Sequence, residues 1–102
     1  MNKLPVSVAQ QKEEKMNIYE YPVSWNRGNG IQVAYAYCVA GSKAEAKRKI
    51  YERLQYKIGT IKLDDLCTVQ SAAALPEKAA EIGDRVKLWY FGSGKKEHAE
   101  FF

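Results

Sequence analysis

Hydrophobic residues alternate with smaller or polar residues over two neighbouring stretches of this chain, residues 17–25 and residues 31–40. An alternation of period two is typical of β-strands that bury one face. Between the two stretches lies Asn29-Gly30, a strong signal for a tight hairpin because both residue types tolerate positive φ. The pattern therefore predicts an antiparallel hairpin. Pro22 has no N–H to donate, which predicts an edge position or a bulge for the first strand.

Each predicted strand of the hairpin has one bulky face. In the first strand this face carries Tyr19, Tyr21, Val23 and Trp25. In the second strand it carries Ile31, Val33, Tyr35, Tyr37 and Val39. We expect the two bulky faces to lie on the same side, so that the hairpin presents one aromatic and apolar side to the rest of the fold.

The opposite face of the second predicted strand is small and nearly uncharged, and includes Ala34, Ala36 and Cys38. Such a face is unusual in water, where polar residues normally alternate with the apolar ones. Two hypotheses account for it. Either the alanine-rich segment 72–82 covers this face within the same chain, or a partner or a second copy of the chain packs there, because small residues allow close approach.

The next element begins at a capping box, Ser42 followed three residues later by Glu45. In this motif the serine hydroxyl accepts a hydrogen bond from the glutamate N–H, and the glutamate side chain reaches back to the serine N–H. The helix is predicted to run to about Tyr56, before Gly59. Its apolar stripe consists of Ala46, Ile50, Tyr51, Leu54 and Ile58.

Shorter elements are predicted in the rest of the chain. Residues 66–70 predict a short strand and residues 85–91 a final strand. Pro76 at a first helical position and Gly83 as a stop predict a short helix between them. The expected fold class is α+β, a small antiparallel sheet in ββα-β-α-β order with one main helix packed across its aromatic face.

One domain is expected, because 102 residues can bury a single modest core. Its predicted bounds are residues 17–92. Residues 1–16 are predicted to be a flexible leader or a short edge strand, and residues 93–102 a C-terminal tail.

Composition narrows the class of protein further. Hydrophobic residues make up 46% of the chain, which excludes a disordered protein. The two cysteines are too few for a disulfide framework and lack metal-ligand spacing. No apolar run approaches the ~20 residues that span a bilayer, and the first residues lack the apolar core of a signal peptide. We therefore predict a cytoplasmic protein that makes no membrane contact.

The sequence contains no recognisable catalytic constellation. The one histidine, His98, lies in a charged segment, and neither cysteine has a neighbouring base to activate it. Gly28 and Gly30 lie between two predicted strands rather than before a helix, which excludes the P-loop and Rossmann contexts. We predict no enzymatic activity, no cofactor and no metal ion.

One face of the final predicted strand combines cations with large aromatic side chains, and two more lysines follow it. This combination suits a partner with acidic groups and flat apolar area, either a protein or stacked bases. The alternative is that the aromatic rings are core and that the cations reach past them to solvent. The candidate partner-binding residues are Arg85, Lys87, Trp89, Phe91, Lys95 and Lys96.

The net charge of +4 is unevenly distributed. Residues 42–62 carry seven Lys or Arg against two Glu, whereas residues 63–84 carry five acidic residues against one Lys. The basic helix is therefore either a surface for nucleic acid or a solvated face that the acidic segment neutralises. The candidate nucleic-acid contacts are Lys43, Lys47, Arg48, Lys49 and Arg53.

We interpret the chain as a small non-enzymatic binding protein that acts through protein–protein contacts. In size and style it is comparable with inhibitors or adaptors of the phage or mobile-element accessory type. Its expected partner is another protein or a second copy of the chain. The alternative hypothesis is a nucleic-acid-binding module that uses the basic helix 42–57 and the strand 85–91.

Overall fold

The computed structural model describes residues 16–28 and 30–102. Along the chain these residues form β1 (Asn17–Asn26), β2 (Ile31–Ala40), α1 (Lys43–Ile58), β3 (Lys62–Leu63), β4 (Thr68–Ser71), α2 (Pro76–Ile82), β5 (Lys87–Phe91), a 3₁₀ turn (Ser93–Lys95) and β6 (Glu97–Phe101). The predicted class, α+β with an antiparallel sheet, is confirmed. The predicted order differs, because two strands separate the helices and a further strand follows β5. The predicted leader lies outside the described residues except for Met16.

Within the described residues the strands form one six-stranded sheet in the order β3-β1-β2-β5-β6, with β4 also paired to β1. β1 is therefore an internal strand, which corrects the edge position predicted from Pro22. The Pro22 carbonyl accepts from the Asp64 N–H at 2.9 Å. Here β1 changes neighbours, since β4 pairs with residues 17–20 and β3 with residues 23–24. The missing N–H of Pro22 therefore falls in a gap between two ladders.

The register of the hairpin contradicts the predicted alignment of its bulky faces. Asn26 pairs with Ile31, so the connection contains four residues, an even number. An even connection brings odd-numbered positions of β1 opposite even-numbered positions of β2, and residues directly opposite share a face. Tyr21 consequently lies opposite Ala36, and the bulky face of β1 is continuous with the small face of β2. The bulky face of β2 points to the other side of the sheet.

The main core lies between α1 and this mixed face. Ala46, Ile50 and Leu54 of the helix are fully buried in one cluster with the inward side chains of β1 and β2. The small side chains of β2 let the helix approach closely, and the Cys38 thiol lies 3.7 Å from the Ala46 carbonyl oxygen. The serine half of the predicted capping box is confirmed, because the Ser42 hydroxyl accepts from the Glu45 N–H at 3.2 Å.

The C-terminal segment belongs to the sheet, which corrects the predicted tail over residues 93–102. β6 pairs antiparallel with β5 along its whole length. The pairing continues past both strands, since Val86 and Phe102 exchange two backbone hydrogen bonds of 2.9 Å. Phe102 also packs against the main core cluster. Across residues 16–28 and 30–102, no helix combines the length and hydropathy needed to cross a membrane.

Candidate protein-binding surface

The sheet face opposite α1, here called the outer face, is covered by α2 at one end of the strands. The ammonium group of Lys78 lies 5.0 Å from the centre of the Tyr37 ring. Glu81 forms an ion pair of 2.7 Å with Lys87, whose hydrogen bond lowers the pKa of that carboxyl. Tyr37 and Lys87 lie opposite each other in β2 and β5. α2 therefore covers this row of the outer face, and the rows toward the hairpin loop stay open.

Five large side chains occupy the open end of the outer face. We define them as the exposed apolar surface, Ile31, Val33, Tyr35, Trp89 and Phe91. The exposed fractions are 71% for Ile31, 54% for Val33, 51% for Phe91 and 36% for Tyr35, while Trp89 is partly buried. Single exposed apolar residues are common on proteins, whereas a contiguous group of them is typical of an interaction surface.

The aromatic rings of this surface hold one another in place. Tyr35 lies opposite Trp89 in the sheet, with ring centres 6.0 Å apart. Trp89 also meets Phe91 edge to face at 4.8 Å. The Trp89 indole N–H donates to the Glu97 carboxylate at 3.2 Å. Such contacts limit the rotamers of the rings, so that little conformational entropy remains to be lost on binding.

An open hollow of about 490 Å³ adjoins this surface on the β1 side. Its lining includes Pro22, Ser24, Val33 and Lys62. The outer face is therefore bulky over β5 and recessed over β1. A smaller concavity of about 220 Å³ lies toward α2, lined by Tyr37, Lys78, Lys87 and Trp89.

The predicted partner-binding residues are only partly brought together. Lys87, Trp89 and Phe91 share the outer face, as the alternation predicted. Arg85 precedes β5; its guanidinium lies 4.1 Å from the centre of the Phe101 ring and donates to the Glu81 carbonyl at 2.8 Å. Arg85 and Lys87 are thus engaged within the chain. Lys95 and Lys96 are exposed at the turn between β5 and β6.

Ala34, Ala36 and Cys38 were predicted to form a packing face or a dimer face, and the structure agrees with packing within the chain. These residues are 1%, 0% and 0% exposed, and they belong to the core cluster beneath α1. Burial raises the pKa of the Cys38 thiol to about 11. The small face is therefore covered within the chain, by the main helix rather than by the alanine-rich segment.

The acidic segment neutralises much of the basic helix. Lys47 pairs with Asp65 at 2.6 Å, and their hydrogen bond raises the pKa of Lys47 and lowers that of Asp65. Asp84 pairs with Lys49 at 3.2 Å and with Arg53 at 3.8 Å. Exposed pairs of this kind add little stability individually. They do, however, interrupt the cationic surface that nucleic acid would need.

Two of the candidate nucleic-acid contacts remain exposed on α1. Lys43 and Arg48 join none of the ion pairs found among the described residues. Two cations on a helix offer few phosphate contacts. Nucleic-acid binding by the helix stays a prediction.

The described residues include one histidine and two free thiols. His98 stacks on Tyr90 with ring centres 5.3 Å apart and the ring planes 18° from parallel. The two free thiols belong to Cys38 in the core and to the partly buried Cys67. Over residues 16–28 and 30–102, no group of three or more His, Cys, Asp or Glu could hold a metal ion.

Sequence reasoning missed the β2 half of the exposed apolar surface, because it placed Ile31, Val33 and Tyr35 on the core side. The signal that identifies them is the length of the hairpin connection. Both the predicted two-residue Asn-Gly turn and the observed four-residue connection are even, and an even connection excludes alignment of the two bulky faces.

Comparison with known proteins found no match for this chain among protein-family models, among curated proteins or among solved structures.

Proposed function

We propose that this chain is a small non-enzymatic binding protein, an inhibitor or adaptor, that acts through protein–protein contacts made by its exposed apolar surface, with another protein or a second copy of the chain as the partner. One observation supports the proposal above all. Five large apolar side chains share one open end of the outer face, while α2 covers the other end of this face and α1 covers the opposite face of the sheet. Rigid aromatic anchors of this type contribute much of the free energy of binding at protein interfaces.

The character of the surface favours a protein partner over nucleic acid. Ile31 and Val33 offer branched aliphatic area, which packs against apolar side chains but provides no flat ring on which bases stack. The adjoining cation Lys87 is paired with Glu81. Trp89, the ring best suited to stack on a base, is only partly exposed and donates its N–H to Glu97.

The test uses two matched substitutions. Val33→Glu places a charge within the exposed apolar surface. Val69→Glu makes the same change on β4, outside that surface, at a side chain that is 44% exposed. Each variant and the wild-type chain serve as bait in an extract of the native host, and captured proteins are quantified by mass spectrometry. The leading candidate is then purified, and its binding is measured by titration calorimetry.

We expect the wild-type chain and Val69→Glu to bind the same protein, and Val33→Glu to bind it at least tenfold more weakly. Equal binding by all three chains would contradict the proposed surface. A generic single-stranded oligonucleotide tests the alternative. Micromolar binding that weakens steeply with salt, and that Val33→Glu leaves unchanged, would favour the nucleic-acid hypothesis.

A further inference from the structure

The outer face of the sheet has the shape of a step. α2 forms the raised part, and the exposed apolar surface forms the open part beside it. The helix crosses the strands, because Lys78 in its first half donates to Gln70 of β4 and Glu81 in its second half pairs with Lys87 of β5. The exposed apolar surface, on β2 and β5, therefore borders the second half of α2, and the recess over β1 borders its first half.

We propose that the exposed apolar surface binds a second copy of this chain, and that α2 of each copy fills the open part of the other copy's step. The inference names the partner for the function proposed above and rests on that function. The two α2 helices then lie side by side in a single layer between two sheets. Each helix contacts its own sheet on one side and the second copy's exposed apolar surface on the other.

The spacing along the strands agrees with this arrangement. α2 lies over Tyr37, and the open rows of β2 begin at Tyr35 and continue through Val33. Two to four residues along a strand correspond to roughly 7–13 Å. Packed helices lie about 8–10 Å apart, so a second helix beside α2 falls over these rows.

Of two-fold axes along and across the strands, only the axis across the strands permits such a dimer. An axis parallel to the strands brings both α2 helices to the same end of the strands, where they compete for the same space. An axis that runs across the strands places the two helices next to each other. Under this rotation, the raised part of each copy meets the open part of the other copy. Such self-complementarity is the condition for a closed, symmetric interface.

The solvent side of the α2 region suits close packing against large apolar side chains. Its exposed residues are mostly small, and include Ala73, Ala74, Pro76 and Ala80. A region with short side chains can approach the bulky β2 and β5 residues without collision, as small and large side chains interdigitate. The alanine-rich segment thus covers apolar sheet area of the second copy in addition to its own.

Charges at the edge of the step are complementary in the same arrangement. Glu77 is exposed in the first half of α2, the half that lies toward β4. Lys62 is exposed on β3 opposite Ser24, which in turn lies opposite Val33 of the exposed apolar surface. β3 and β4 both pair with β1. An axis across the strands keeps them on the same side, so that Glu77 of each copy approaches Lys62 of the other.

Sedimentation velocity on the full chain at increasing concentration tests the inference, with thermal unfolding to verify that each variant is folded. We expect the wild-type chain to form dimers, Val69→Glu to behave like the wild-type chain, and Val33→Glu to remain monomeric. Monomers at all concentrations would overturn the inference. The proposed function would still stand if Val33→Glu then lost binding to a different protein. A dimer insensitive to Val33→Glu would also overturn the inference.

Charge reversal tests the placement of the two helices. Glu77→Lys and Lys62→Glu should each weaken the dimer about tenfold, because every substitution acts twice in a symmetric interface. The double variant Glu77→Lys/Lys62→Glu should restore the wild-type dissociation constant. Failure of the double variant to recover would overturn the proposed arrangement.

Discussion

Tyr21 and Ala36 lie directly opposite each other in β1 and β2, and both are buried beneath α1. Tyr21 is the largest fully buried side chain among the described residues, and the Ala36 side chain is a single methyl group. The pairing lets α1 approach β2 closely while the tyrosine ring fills the space over β1. The outer face receives the reverse combination, with Pro22 opposite the exposed Tyr35.

The close approach at Ala36 predicts a cost for any larger side chain. Ala36→Leu should reduce the free energy of unfolding by about 1–3 kcal/mol, because the added methylenes overpack the core. Val33→Leu on the exposed side of the same strand should change it by less than about 0.5 kcal/mol. Urea unfolding of both variants measures the difference, and equal values for the two would mean that α1 does not cover this face.

The buried stripe of α1 predicts a second contrast. Leu54 is fully buried in the core cluster, whereas Leu66 is 78% exposed. Leu54→Ala should reduce the free energy of unfolding by about 2–5 kcal/mol through loss of apolar burial and formation of a cavity. Leu66→Ala deletes the same atoms from the surface and should cost less than about 0.5 kcal/mol. A loss below about 1 kcal/mol for Leu54→Ala would show that this side of the helix is not packed.

The Cys38 thiol predicts a loss of stability at alkaline pH. Burial raises its pKa from about 9 to about 11, so the folded protein keeps the thiol protonated longer than the unfolded chain does. As pH rises above the unfolded pKa, the unfolded chain releases the proton first and is stabilised. The free energy of unfolding should therefore fall between about pH 9 and about pH 11, by on the order of 2–3 kcal/mol from this group.

Comparison with Cys38→Ala separates the contribution of the Cys38 thiol from that of the lysines and tyrosines, which lose protons in the same pH range. Urea unfolding under reducing conditions at about pH 8 and about pH 11 gives the change for each chain. The decrease should be smaller in Cys38→Ala by the amount assigned to the thiol. Identical decreases in both chains would show that the thiol is not protected in the folded state.

The elements that depend on residues close together in the chain were predictable from the sequence. The cap at Ser42 depends on a residue three positions away, and the helix that follows has the predicted buried stripe at Ala46, Ile50 and Leu54. The two hairpin strands were likewise evident from their alternation. The segment after α1 was harder, because β3 has only two residues and its pairing with β1 depends on residues about forty positions earlier.

The β5 half of the candidate site was predictable from the sequence, and the β2 half was not. The alternation in β5 identified Trp89 and Phe91 as neighbours on one face, but it does not show which face the helix covers. Arg85 and Lys87 were predicted to be available to a partner, whereas in the structure they contact Phe101 and Glu81. Such pairings depend on how α2 and β6 fold back against β5. The residue pattern of a single strand carries no information about this.

The sequence by itself determined the features that depend on residues close together in the chain, namely the hairpin strands, the capped main helix and the mixed α+β class. Tertiary structure alone decided which face of β2 is buried, because the even connection shows only that the bulky faces of β1 and β2 lie on opposite sides of the sheet, and the position of α1 decides which of them is covered. It also made β6 a strand, since the ladder with β5 supplies hydrogen bonds to a segment whose composition resembles a tail. The exposed apolar surface follows from both of these features, because α1 occupies one side of the sheet and leaves the bulky residues on the other side.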